Sequence, residues 1–158
     1  MIQVLNSPLE VGLRALFVLT EAYPEALDVG SLVLLDHGVL NSADLGGPAS
    51  LHPPLPARSG ELAMKRQLIE EGLQILIRSD LTELALDTRG IQFRASEEAH
   101  GFTTLLQTPY ASGLRERAKW IVALLLPADE ASIRNRMRSV LGNWTEEFFT
   151  VTHLPEDE

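Results

Sequence analysis

Histidines and carboxylates are the first residues to weigh for chemistry, because together they bind metals, move protons and activate nucleophiles. The four histidines, His37, His52, His100 and His153, stand far apart. None has a second histidine three or four residues away, the spacing that puts two imidazoles on one helix face. Asp36 and His37 are adjacent, which on a helix splays their side chains by about 100° and spoils chelation. They read as a helix-end aspartate and a polar histidine. His52 lies among prolines with no acid or second histidine beside it, so a hydrogen-bonding role is expected. The absence of cysteine excludes disulfides, a thiolate nucleophile and a cysteine-ligated zinc. No Gly-x-x-x-x-Gly-Lys-Ser/Thr loop, Gly-x-Gly-x-x-Gly turn or Gly-x-Ser-x-Gly elbow occurs. The expectation is a protein that is not an enzyme, with no catalytic residue, no metal site and no cofactor of its own.

Cations offer a second chemistry, phosphate binding. Lys65 and Arg66 sit near the start of a helical stretch and Arg89 and Arg94 on an apparent hairpin, which makes these four the candidate DNA or phosphate contacts. The competing account is solvated charge flanking a core stripe. Net charge favours that account: it is −9, and residues 1–57 hold one base, Arg14, against six acids. Glu70 and Glu71 lie on the face that a reading helix would turn to DNA, where the phosphates would repel them. Arg115, Arg117 and Lys119, and then Arg134, Arg136 and Arg138, form two basic stretches that read as ordinary helix surface, with a salt-dependent contact to an acidic partner or DNA as the alternative. Protein partners are a better expectation than duplex DNA.

Elements must position these side chains. Ser7-Pro8-Leu9-Glu10 carries an N-cap, a proline where no amide is needed and a capping-box glutamate, so a first helix starts there and closes before Pro24. Asp28 is the expected N-cap of a second helix reaching about Leu40. Residues 41–60 hold four prolines and three glycines and exclude a regular element, yet Leu45, Leu51 and Leu55 are spaced as anchors. That loop is expected to be ordered and packed, with Leu45, Leu51, His52, Leu55 and Arg58 as candidate partner contacts. A third helix follows from about Ser59, with Leu62, Ile69, Leu73 and Leu76 on its core stripe, and ends either at Gly72 or near Ser79. Leu81–Leu86 and Ile91–Ala95 read as strands around Asp87-Thr88-Arg89-Gly90. Ser96 is the expected cap of a fourth helix, a fifth runs from about Ser112 to Leu126, and a sixth from near Asp129 to Phe148.

This order is mainly α with a small β-hairpin, that of a winged helix-turn-helix-like module with C-terminal helices. At 158 residues it forms one such domain over 1–108, with a helical segment over 109–158 packed on it. The amino terminus shows no signal-peptide pattern and no stretch is long enough to span a bilayer, so a cytoplasmic location is expected.

Several stretches carry a family resemblance. Asp36-His37-Gly38-Val39-Leu40-Asn41-Ser42-Ala43-Asp44 and Gly47-Pro48-Ala49-Ser50-Leu51-His52-Pro53 do so, with Pro56, Arg58 and Glu61. So do Leu68-Ile69-Glu70-Glu71-Gly72-Leu73, Gly90-Ile91-Gln92-Phe93-Arg94-Ala95 and Leu114-Arg115-Glu116-Arg117-Ala118-Lys119-Trp120. Over residues 6 to 122 the chain resembles the middle component of bacterial ABC-three-component systems, which include the Lamassu type of antiphage defence. At Ser79-Asp80-Leu81 it departs from the pattern, which has a glycine before the leucine. The resemblance implies a non-catalytic subunit joining an SMC/Rad50-like ATPase to an effector, often a nuclease. ATP and magnesium would then belong to the ATPase, and DNA would be met only through the complex. A winged-helix transcriptional regulator is the alternative from a different functional class.

Overall fold

A computed structural model describes residues 7–51, 59–126 and 135. The expected sixth helix and the loop residues His52, Leu55 and Arg58 lie outside the described residues. The elements run α1 (Pro8–Ala22), α2 (Val29–Leu40), a short 3₁₀ turn (Ser42–Leu45), α3 (Ser59–Arg78), β1 (Thr82–Asp87), β2 (Gly90–Ala95), α4 (Ala99–Thr104) and α5 (Pro109–Leu125). The protein is mainly helical with one antiparallel hairpin. No described helix is long and apolar enough to cross a membrane.

Helix starts follow their local signals. Ser7 Oγ accepts from the Glu10 amide at 3.2 Å, and the Asp28 carboxylate accepts from the Ser31 amide at 3.1 Å; each satisfies an amide that the helix itself leaves open. α5 begins at Pro109 rather than near Ser112, because Thr108 caps it through the Ala111 amide at 3.1 Å and Pro109 occupies the first turn. Thr108-Pro109 thus repeats the Ser7-Pro8 signal. Ser96 does not cap α4. Its hydroxyl donates to the Asp80 carbonyl at 2.7 Å, tying the end of β2 to the end of α3.

α3 continues through Gly72 to Arg78, so Gly72 is no helix stop. It is a crossing point: a Cβ built there would lie 2.6 Å from the Pro8 carbonyl oxygen and 2.7 Å from Gly12 Cα. Two glycines let α1 and α3 meet backbone to backbone. The helix ends on Asp80, whose φ of 58° is left-handed. The Leu81 amide bonds the Leu76 carbonyl at 2.9 Å and the Asp80 amide bonds that of Ile77 at 3.1 Å. This is a Schellman motif with aspartate in the usual glycine position, which accounts for the departure at Ser79-Asp80-Leu81.

One core joins all the helices. Leu16 and Leu19 of α1, Leu32, Val33 and Leu35 of α2, Ile69, Leu73 and Leu76 of α3, and Leu114, Ile121 and Leu125 of α5 are buried together. The hairpin closes through a two-residue turn, with Asp87 opposite Gly90. Leu27, between α1 and α2, bridges β2 by exchanging amide–carbonyl bonds with Phe93, both at 2.8 Å. β2 is therefore paired on both sides at that point, while β1 forms an edge.

Candidate functional site

Three features stand out once the helices are assembled. The first is a charge cluster inside the helical core. Arg14 projects from α1 and Asp36 from α2, and the Asp36 carboxylate accepts from Arg14 Nε at 2.8 Å and Nη2 at 3.4 Å. Lys65 Nζ of α3 lies 3.1 Å from Asp36 Oδ2, the oxygen that also accepts from Arg14 Nη2. Both Arg14 and Asp36 are 1% exposed, so three helices meet on one buried carboxylate. Burial would push the Asp36 carboxyl up, but the Lys65 and Arg14 cations outweigh it and hold it at about 2. Desolvation, reinforced by the Lys65 cation, pushes the neighbouring His37 imidazole down to about 4. His37 is thus neutral near pH 7. Asp36 is an ion-pair hub, not the helix-end aspartate expected from the sequence. The signal was present: Arg14 and Asp36 are isolated charges inside apolar runs, Val11-Gly12-Leu13-Arg14-Ala15-Leu16 and Leu34-Leu35-Asp36-His37-Gly38-Val39, where each needs a partner.

The second feature is the first half of the 41–60 loop, residues 41–51. A 3₁₀ turn survives in it, contrary to the expectation of no regular element, because Ser42–Leu45 precedes the prolines and Gly46 exits at φ 76°. Ser42 Oγ donates to the Pro48 carbonyl at 2.9 Å, and the Leu51 amide bonds that of Leu40 at 3.1 Å. Arg117 clamps the loop from α5, donating through Nε and Nη2 to the Ala49 carbonyl at 2.9 and 2.6 Å. Leu45 and Leu51 pack against the core, and the Trp120 indole fills the space beside Gly47. Arg115 is likewise engaged: it lies over the Phe17 ring and donates to the Thr103 and Leu106 carbonyls.

The third feature is the surface of α3 and the hairpin. Each of the four candidate phosphate contacts has an acid of the same chain beside it. Lys65 meets Asp36, Arg66 meets Glu70 at 3.2 Å, Arg89 meets Asp87 at 2.7 Å, and Arg94 meets Glu83 at 3.1 Å. Gln67, on the same face of α3, bonds Glu71. The outer hairpin is instead apolar: Leu84, Leu86 and Ile91 are 56%, 78% and 60% exposed. Among the described residues no group of three or more histidine, aspartate or glutamate side chains could hold a metal ion.

The family model for ABC-three component (ABC-3C) system Middle Component 2 matches residues 4–147. The chain belongs to this family. No curated protein and no solved structure matches it. As a Middle Component 2 chain it is one part of a multi-subunit ABC-3C system, so it has protein partners. The matched span takes in the Asp36 hub, the Arg117-clamped loop and the hairpin alike. In this Middle Component 2 chain the sequence brings Lys65 to the hub and Leu45 and Leu51 to the core, while Arg66, Arg89 and Arg94 remain on the surface with their own acids.

Proposed function

We propose that the chain is a non-catalytic adaptor, joining an SMC/Rad50-like ATPase to an effector nuclease in an antiphage complex of the Lamassu type. The observation that carries this reading is the neutralisation of Lys65, Arg66, Arg89 and Arg94 by Asp36, Glu70, Asp87 and Glu83. A phosphate must compete with an acid already beside each of these four cations, which among the described residues weighs against a cationic DNA face on α3 and the hairpin. The apolar outer hairpin and the core-anchored loop suit protein contacts instead. Co-expression with a neighbouring SMC-like ATPase and effector tests the proposal. The three should co-elute at micromolar concentration, with no ATPase activity contributed by this chain. Separation of all three defeats it.

The element order favours a second reading. Helix, Leu27 bridge, helix, helix and hairpin is an order compatible with a winged helix, the scaffold of many transcriptional regulators. A mobility-shift experiment separates the two readings. Submicromolar binding of duplex DNA by the isolated chain near physiological salt supports the regulator; weak or no binding supports the adaptor.

A further inference from the structure

The helix that carries Asp36 has no sided pattern to set which way round it sits. Ten consecutive residues of α2, Ser31 to Leu40, are buried. At about 100° per residue they point in every direction around the helix axis. A helix that is apolar on one stripe turns that stripe to the core, but one buried all round receives no such instruction. Leu32, Val33, Leu34, Leu35, Val39 and Leu40 are alike in polarity and close in volume, so apolar burial alone separates one rotation poorly from the next. Asp36 is the one charged residue of α2. Turning the helix by a single residue brings Leu35 or His37 to the hub and swings the Asp36 carboxylate away from Arg14 and Lys65, which is costly for a buried charge. Gly38 points about 200° away from Asp36, and a Cβ added there would lie 2.8 Å from Ile121 Cδ1. That glycine admits α5 without binding it, whereas the bonds to Asp36 are charge-assisted and directional.

We propose that the Asp36 hub is a rotational key for α2: it selects one seating of the helix among several of similar apolar burial, and so contributes uniqueness more than stability. This holds whether or not the chain is an adaptor. The seating matters beyond α2, because the chain runs from Leu40 through Asn41 into the 3₁₀ turn and the loop clamped by Arg117. The Leu51 amide bonds the Leu40 carbonyl at 3.1 Å, and the Asn41 side chain bonds the His37 carbonyl at 3.2 Å. Both contacts start from the last turn of α2, so a turned helix carries the loop with it. Residues 41–51 are thereby presented at one angle. Arg14 and Asp36 act as positioning residues, and Lys65, with 19% of its side chain in solvent, closes the hub from outside. Cores filled with apolar residues of fitting size lose their single arrangement before they lose stability, and that is the signature to look for.

The full chain carrying Arg14→Met and Asp36→Leu together tests this, read by urea unfolding, two-dimensional amide NMR and hydrogen exchange at pH 7. Both charges go at once, so neither is stranded in the core. The variant should keep at least about two-thirds of the wild-type urea midpoint. Amides of residues 29–51 should give doubled or broadened signals where the wild type gives one set. The Leu51 amide should lose at least ~tenfold protection while the α5 amides keep theirs. Leu125→Val is the control: it removes a buried methylene of α5 and lowers the midpoint, yet should leave one set of signals over 29–51 because the hub is intact. A double variant with one sharp set of signals and wild-type protection at Leu51 overturns the proposal. A double variant whose midpoint falls below about two-thirds of wild type overturns it too, since the hub is then a source of stability and not of seating. Doubled signals over 29–51 in Leu125→Val have the same effect, because any loss of stability would then produce them.

Discussion

Replacing Asp36 with asparagine keeps the shape of the hub and removes its charge. Lys65 keeps 19% of its side chain in solvent and can turn outward, but the Arg14 side chain is fully buried and has no such exit. Two routes give the cost. The carboxyl is held at about 2 against an ordinary 3.8, which corresponds to about 2 kcal/mol in favour of the ionised, folded form. Removing one member of a buried ion pair costs roughly 3–5 kcal/mol, because the other charge stays desolvated. Asp36→Asn should therefore destabilise by about 2–5 kcal/mol in urea unfolding at pH 7, and Lys65→Met by much less. Acid adds a second readout. The folded carboxyl titrates below the unfolded one, so the ionic contribution is fully present above about pH 4 and is lost as pH falls toward 2. Asp36→Asn should lack that part of the acid loss. A double change to Arg14→Met and Asp36→Leu should recover most of the stability, since apolar replacement of a buried pair is often neutral. An Asp36→Asn protein within ~1 kcal/mol of wild type, with the wild-type acid profile, would refute the reasoning.

His37 gives a second pH effect in a separate window. Its folded value of about 4 lies below the ordinary 6.5, so the unfolded chain binds more protons between them, and stability should fall by up to ~3 kcal/mol as pH drops from 6.5 to 4. A His37→Asn variant should lose that slope in urea titrations at stepped pH. Gly72→Ala should cost ~1–3 kcal/mol despite alanine's helix preference of about 1 kcal/mol, because the new methyl meets backbone atoms of α1. Gly101→Ala in α4 meets nothing within 4 Å and should stabilise by up to ~1 kcal/mol in the same assay. Asp80→Gly relieves a left-handed L-residue and should raise stability by ~0.5–1 kcal/mol, read as a higher urea midpoint at unchanged slope.

What the sequence displays is what a few consecutive residues decide. Ser7-Pro8 and Asp28 cap the helices whose starts they mark in the sequence, and the hairpin turns where Gly90 permits a φ of 104°. Thr108-Pro109 was legible too, although Ala111 stands where the first signal has its capping-box Glu10. Long-range pairing is another matter. Arg14 and Asp36 are 22 residues apart, and Arg117 reaches a carbonyl 68 residues away. Composition says that an isolated charge in an apolar run needs a partner, but only the crossing of α1, α2 and α3 says which one. That crossing depends in turn on Gly12 and Gly72, whose missing side chains bring the helices close. The candidate phosphate contacts were ambiguous for the same reason. Arg89 and Arg94 have acids within reach across a turn and across a hairpin, Arg66 one helical turn away, and Lys65 only through the hub. A cation recruits a phosphate when that phosphate offers more than the acid already beside it. In this chain the acids are in place before any partner arrives.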